Sequence, residues 1–192
     1  MAPQGGGSDS ETITGLVTLP NGKVAALSEV KLIPSDYDPS HPDEKLITKV
    51  ISDSMGKFTF NTIDKNKDYN IIVKKLNSEN KSQYLWGLEM KVKGSLNGNK
   101  AIALQLSNSK VFLFSMHSDV YARADSGIAY FPGTDILTRC DGIVESPIDS
   151  VPSGALRFKV ISRAGWQYDT TLTSALDTTK VLASRNELKL LP

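Results

Sequence analysis

Residues 53–60, Asp-Ser-Met-Gly-Lys-Phe-Thr-Phe, combine a Gly-containing turn with a strand that alternates aromatic and polar side chains. The glycine of such a turn takes a left-handed conformation that returns the chain into the next strand. A related turn, Asp-Gly before Ile-Val, occurs at 141–144. Repetition of this pattern predicts small β-sandwiches in tandem and not one catalytic core. The flanking strand-like segments are 22–34 and 69–73 for the first copy, and 133–135 and 151–160 for the second.

The composition is that of an ordinary globular protein, with 40% hydrophobic and 22% charged residues in a chain of 192. The formal net charge is +1 and no run of Lys or Arg concentrates it, so neither nucleic acid nor an anionic membrane is an expected partner. No stretch approaches the roughly 18 consecutive apolar residues of a transmembrane helix. The single cysteine, Cys140, cannot form an intrachain disulfide and does not decide the redox compartment.

The N-terminal residues 1–10 are rich in Gly and Ser and contain no apolar segment typical of a signal peptide. Such a tract is typical of a flexible tether left when an anchored precursor is trimmed, and equally of a disordered terminus. The chain stops directly after a strand-like segment, which favours a longer parent protein.

Alternating apolar and polar residues predict strands along most of the chain, beginning at 11–19, and no window before residue 107 has the spacing of an amphipathic helix. We expect an all-β protein with a tether at 1–10, a first sandwich at 11–107 and a second, diverged sandwich at 108–192. The segment 170–182 is ambiguous, because its Thr-rich composition favours a strand while its leucines fit a short helical turn.

Several of these segments together resemble the carboxypeptidase regulatory-like domain. The resemblance covers 11–106 and implies a transthyretin-like or Ig-like Greek-key β-sandwich of about seven strands. The second half resembles a diverged copy, so two such domains in tandem are expected. The segments of the first copy are 15–17, 21–25, 30–32, 53–60 and 69–73, and those of the second are 130–135, 141–142 and 151–154.

The resemblance implies a noncatalytic binding or spacer module of a secreted or cell-envelope bacterial protein, with an extracellular or envelope location and a lipid-anchored precursor. Its expected partner is a glycan or a protein at the cell surface, and no cofactor is expected. Two alternatives stay open: a carbohydrate-binding or adhesion module that uses exposed aromatic residues, and an accessory part of a secreted hydrolase.

Domains of the collagen-adhesin B-repeat type are similar as well, and they sometimes crosslink a Lys of the first strand to an Asn of the last. The predicted first strand, 11–19, contains no Lys, so no such isopeptide is expected in this sandwich. No catalytic residue is predicted either. Neither His41 nor His117 lies in a zinc-ligand spacing, and one cysteine cannot complete a Cys/His site.

Aromatic pairs are the first candidate binding site. Tyr84 and Trp86 share one face of a predicted strand, with Leu85 on the other, so two rings lie outside if the aliphatic face is inside. Exposed aromatic pairs stack on sugar rings or anchor partner proteins. Trp166 and Tyr168 have the same spacing. The alternative is that these rings face the core or the neighbouring domain, where Trp usually lies.

An acidic loop at 34–43, interrupted by prolines, is the second candidate. Its carboxylates and preorganised backbone suit a weak calcium site, although acidic surface loops also serve solubility. The candidate ligands are Asp36, Asp38 and Asp43 of this loop and the adjacent Glu44.

Overall fold

The computed structural model describes residues 10–81, 83–95, 101–116, 126–140, 146–152, 156–163, 166–172, 178–183 and 189–190. In these residues the chain is all β, with a single 3₁₀ turn at Glu44–Leu46 and no α-helix. The strands are β1 (Ser10–Thr18), β2 (Glu29–Pro34), β3 (Thr48–Ile51), β4 (Lys57–Asp64), β5 (Asp68–Leu76), β6 (Tyr84–Lys93), β7 (Ile102–Gln105), β8 (Ser107–Asn108), β9 (Lys110–Met116), β10 (Gly127–Tyr130), β11 (Leu137–Cys140), β12 (Ser146–Val151), β13 (Leu156–Ser162), β14 (Trp166–Leu172), β15 (Thr178–Ala183) and β16 (Lys189–Leu190).

The strands form four sheets, two from residues 10–108, the N-terminal half, and two from 110–190, the C-terminal half. Sheet A has the order β4-β1-β7 and sheet B the order β3-β2-β5-β6-β8. Sheet C has the order β12-β9-β15 and sheet D the order β11-β10-β13-β14-β16. The central strands β1 and β9 each have one antiparallel and one parallel neighbour. The order of strand pairing is therefore the same in both halves, strand for strand.

This correspondence changes one part of the expected repeat. The turn at 53–56 precedes β4, and 141–144 precedes the equivalent strand β12, as aligned from the sequence. By contrast, 133–135 follows β10 and corresponds to the loop after β2, whereas Gly22 lies before β2. The predicted equivalence of Gly22 and Gly133 is therefore wrong, because the two glycines occupy different turns of the fold.

The core of the N-terminal half lies between sheets A and B. Phe58 and Phe60 point inward from β4 and pack edge to face, with ring centroids 5.7 Å apart. A Cβ at Gly15 would lie 2.2 Å from Phe58 Cζ, so glycine lets the ring pack against β1. The other buried positions of β1 are the aliphatic Ile13 and Val17. Alternation thus places apolar side chains on the facing sides of the two sheets.

The C-terminal half has its own apolar cluster. Phe131 and Phe158 pack with ring centroids 5.3 Å apart, and Val151 of β12 joins them from sheet C. The half-buried side chains of Leu88 and Met90, from β6 of the N-terminal half, pack against this cluster. The two halves therefore share apolar contacts.

The segment 170–182, whose structure was ambiguous from the sequence, is extended at both of its ends. Strand β14 continues to Leu172, and β15 covers Thr178–Ala183. The expected turn at Gly142 lies outside the described residues. Gly56 has φ +74°, as expected for its turn. No helix of the described residues is long and apolar enough to cross a membrane.

Candidate functional site

The outer face of sheet B carries a second apolar cluster. Ile33, Ile72 and Trp86 point away from the sandwich core and are buried. Tyr37, in the loop after β2, packs on them, as does Ile136 from the C-terminal half. An outer sheet face that would meet solvent in an isolated sandwich is therefore covered, and we name the region where the halves meet the joint.

A buried amide links the halves at the joint. Asn70 of β5 is 0% exposed and faces a bulge in β6. Its Oδ1 accepts a hydrogen bond from the Lys91 N–H at 2.9 Å, and its Nδ2 donates to the Gly133 carbonyl at 2.8 Å. The Gly133 N–H donates to the Tyr37 carbonyl at 2.7 Å. Because a buried amide without partners would be costly, this arrangement favours one seating of the 131–136 loop.

Gly133 is required at this position for two separate reasons. Its φ is +75°, which L side chains rarely adopt. A Cβ there would also lie 2.3 Å from Asn70 Nδ2 and 2.8 Å from the Ser35 carbonyl oxygen. The backbones of the two halves therefore approach each other too closely for any side chain.

An ion pair adds a charged contact to the joint. Lys31 Nζ lies 2.7 Å from Asp135 Oδ2 and 3.2 Å from Glu29 Oε1. Burial lowers the pKa of Lys31, but the hydrogen bonds and charges of the two carboxylates outweigh that effect, so its pKa is raised. The Lys31 ammonium is thus held in its charged form between the halves.

Equivalent loops are exchanged between the halves. The loop after β10, 131–136, packs on sheet B, while the loop after β2, 35–47, places Ser40 and Asp38 beside the Tyr130 side chain of sheet D. Burial raises the pKa of the Tyr130 phenol, with a further contribution from the charges of Asp38 and Asp169. The contact is therefore reciprocal, each half inserting the same loop against the other half's larger sheet.

The aromatic pair expected to face outward is placed differently by the structure. Trp86 is 5% exposed and belongs to the joint, so the expectation of an exposed indole is wrong. Tyr84 is half-buried. The Lys74 ammonium lies 4.0 Å from the Tyr84 ring centroid and 5.2 Å from that of Trp86. A cation of the protein itself therefore occupies the ring faces that a ligand would use.

The indole nitrogen of Trp86 has an unusual environment. Among the side chains of the described residues, Trp86 Nε1 is buried without a hydrogen-bond partner. An unpaired buried N–H is destabilising, typically by about 1 to 3 kcal/mol. The apolar contacts of the ring must outweigh this cost.

The second aromatic pair, Trp166 and Tyr168, is only partly described by the structure. Tyr168 is half-buried and packs against the apolar cluster of the C-terminal half. Trp166 begins β14, and its side chain lies outside the described part of the structure.

The acidic residues of the 34–43 segment do not converge on one point. Asp38 Oδ1 accepts hydrogen bonds from the Ser40 N–H at 2.9 Å and the Ser40 hydroxyl at 2.6 Å. Asp43 caps the 3₁₀ turn by accepting from the Lys45 N–H at 3.1 Å, while Asp36 and Glu44 are exposed. No group of three metal-ligating side chains occurs in the described ranges. The carboxylates of Asp38 and Asp43 therefore stabilise the loop's own backbone.

The polar residues of the joint were not predicted from the sequence. The one local signal for them is Asn70, a lone amide in the otherwise apolar run Tyr-Asn-Ile-Ile-Val at 69–73. Because β5 is buried on both faces, no position in that run is free to be polar without a specific partner. Nothing local marks Gly133 or Asp135 as the groups that complete the joint.

Comparison with known proteins gives likeness in fold only. No family model matches the chain, and no curated protein matches it either. The chain is similar to a streptococcal ancillary pilin (9% identity over 92% of this chain and 62% of that chain, TM-score 0.33) and to the Bacillus anthracis TIE protein (10% identity, 91% and 33% covered, TM-score 0.32). It is also similar to the shaft pilin SpaA of Lactobacillus rhamnosus GG (8% identity, 95% and 100% covered, TM-score 0.30). This chain thus spans 62% and 33% of the first two proteins, and at these TM-scores the likeness carries no argument about function.

Proposed function

We propose that the chain is a noncatalytic binding or spacer module of a secreted or cell-envelope bacterial protein, built from two β-sandwich domains, 11–107 and 108–192, held in a fixed relative orientation. The observation that carries the proposal is the joint. Interfaces between domains of one chain are commonly polar and permit relative motion unless they are large and apolar. Here an apolar cluster, a buried amide that is hydrogen-bonded through both its oxygen and its nitrogen, and an ion pair act together.

The same proposal includes kinship with the carboxypeptidase regulatory-like domain. It also includes a protein or glycan partner at the cell surface. The identical strand order of the two halves supports a tandem origin. Glycan stacking on Tyr84 and Trp86 is the weaker candidate, because a sugar ring would have to displace Lys74 and uncover a buried indole.

The test is the shape of the full chain in solution. Small-angle scattering of the wild type is expected to fit one rigid particle. Ile136→Asp is expected to give a broader distribution of distances, because it places a charge among the apolar side chains of the joint. Ile51→Asp is the matched control, since Ile51 is 60% exposed and lies outside the joint. A wild-type profile that requires two freely rotating bodies would contradict the proposal.

A further inference from the structure

Two loops at one end of the N-terminal half expose apolar side chains. The loop between β1 and β2, 19–28, carries Val24, which is 49% exposed, and Leu27, which is 73% exposed. The loop between β3 and β4, 52–56, carries Met55, which is 60% exposed. The loop that reaches the C-terminal half follows the opposite end of β2. We name the end formed by these two loops the distal pole.

Hydrogen bonds lock the two loops of the distal pole to each other. The Leu27 N–H donates to the Ser52 carbonyl at 3.2 Å, and the Ser52 N–H donates to the Ser28 carbonyl at 2.9 Å. The side chains of Ser28 and Ser52 are buried, and both hydroxyls donate to the Ala25 carbonyl, at 2.7 and 3.0 Å. The exposed apolar side chains therefore project from an ordered base, whose polar groups bond to one another.

Leu27 has a conformation that its exposure does not explain. Its φ is +55°, in the left-handed region that a residue with a side chain rarely adopts. Glycine would adopt this conformation without strain. Among the large apolar side chains of the described residues, that of Leu27 is the most exposed, so it gains little from packing within the chain. Strain of this kind is concentrated at functional sites, which points to a role outside the chain itself.

The distal pole also carries an excess of positive charge. Lys23 lies in the first loop and Lys57 directly follows the second, and both are exposed. Lys75 of β5 reaches the first loop, where its ammonium donates to the Ala26 carbonyl. The one carboxylate of the two loops, Asp53, accepts hydrogen bonds from two backbone N–H groups of its own turn, both at 2.8 Å. Lysines that are dispersed in the sequence are thus brought to one end of the fold.

We propose that the distal pole binds the surface of an anionic lipid bilayer. The side chains of Val24, Leu27 and Met55 enter the interface, and Lys23 and Lys57 contact the headgroup phosphates. Apolar side chains together with lysines favour binding at an anionic membrane surface, whereas lysine is depleted at interfaces between proteins. Loops that enter the apolar part of a bilayer must satisfy their polar groups internally, as the bonded base of these loops does. This inference goes beyond the spacer role, since it assigns a lipid surface to one end of the first sandwich.

Cosedimentation of the full chain with vesicles tests the charged part of the proposal. The chain is expected to bind vesicles of phosphatidylglycerol and phosphatidylcholine in equal parts, and to bind pure phosphatidylcholine about tenfold more weakly. Lys23→Glu/Lys57→Glu is expected to remove this preference. Lys67→Glu/Lys93→Glu makes the same change in charge at exposed lysines beside the opposite end of β5, and it is expected to bind as the wild type does.

A second pair of variants tests the apolar part. Leu27→Ser/Met55→Ser is expected to weaken binding to the mixed vesicles about tenfold, because two apolar side chains no longer leave water, while circular dichroism shows the native β spectrum. Leu46→Ser/Leu137→Ser is the matched control, since these leucines are 47% and 38% exposed and lie outside the distal pole. Its binding is expected to equal that of the wild type.

Amide hydrogen exchange locates the bound surface, and protection by the mixed vesicles is expected to increase at 22–28 and 53–57. The proposal is overturned if the chain stays in the supernatant, as it would if the pole served only a protein partner. Equal binding to both vesicle compositions, wild-type binding by Leu27→Ser/Met55→Ser, or protection confined to other segments would overturn it as well. None of these results bears on the rigidity of the joint.

Discussion

At the scale of single residues, Gly133 and Gly22 form a natural comparison. Both have positive φ, +75° and +80°, but a Cβ at Gly22 would meet nothing within 4 Å, whereas one at Gly133 would meet Asn70 and Ser35. Alanine at Gly22 is expected to lower the free energy of unfolding by about 1 kcal/mol, the cost of the left-handed conformation alone. Alanine at Gly133 is expected to cost at least about 2 kcal/mol more, because the joint must also separate.

Urea denaturation of both variants measures the difference. Similar losses for Gly133→Ala and Gly22→Ala would show that the close approach at the joint does not contribute to stability.

The buried indole gives a second prediction. Trp86→Ala is expected to lower the free energy of unfolding by about 3 to 5 kcal/mol, as for other large aromatic residues removed from a core. Trp86→Phe is expected to cost less, because it retains a ring and removes the unpaired Nε1–H. Chemical denaturation followed by far-ultraviolet circular dichroism tests the order. A stable Trp86→Ala variant would place the ring in solvent and restore it as a candidate binding residue.

Residues whose environment is local could be predicted from the sequence, and residues with distant partners could not. Gly56 was expected at positive φ because its turn is encoded by its immediate neighbours, and that expectation is confirmed. The partner of Asn70 is 63 residues away in the chain. The Trp86 ring was expected on an outer sheet face, and it is on one, but the second half covers that face.

At the scale of elements, the presence of a strand follows from the alternation of apolar and polar residues. Whether each face of that strand is buried depends on what packs on it. The strand predicted to carry Tyr84 and Trp86 is present as β6, Tyr84–Lys93. The outer face of β6 is apolar because it contributes to the joint. The sequence of β6 alone does not show that this face is covered. The loops after β2 and β10 likewise contain no strand, and their importance comes from the sheets they contact.

The two exchanged loops and their sheets predict alkaline sensitivity. Burial raises the pKa of Tyr37 and of Tyr130, and the pKa of Lys31 is raised as well. The tyrosines lose their protons in the unfolded chain, near pH 10, before they do so in the folded one, so stability falls as the pH rises above about 10. The contribution of Lys31 is present below its unfolded pKa and is lost as the pH rises through its folded pKa, which acts in the same direction.

Thermal melts between pH 8 and pH 11 test this sensitivity. Tyr130→Phe is expected to be less stable at neutral pH, because it lacks the contact with Ser40, but to lose stability less steeply with pH than the wild type. If the stability of Tyr130→Phe falls with pH as steeply as that of the wild type, the Tyr130 phenol does not contribute to the alkaline sensitivity.

At the scale of the whole molecule, the joint predicts cooperative unfolding. Scanning calorimetry of the full chain is expected to show one transition, because neither half can unfold without exposing the apolar contacts of the other. Asn70→Ala leaves the Gly133 carbonyl and the Lys91 N–H unpaired, at a cost of about 1 to 3 kcal/mol, and is expected to broaden or divide the transition. Thr59→Ala, at an exposed position of β4, is the control. Two transitions in the wild type would mean that the halves fold independently.

The reciprocal exchange of loops has a consequence for assembly. In an open array, such as a solenoid, every repeat presents the same unsatisfied surface to the next, and growth can continue. A self-complementary pair behaves like a twofold dimer, in which both copies use up the same patch on each other and association terminates. The loops at 35–47 and 131–136 already contact the other half within one chain. An assembly that keeps the joint intact is therefore expected to grow from a different surface.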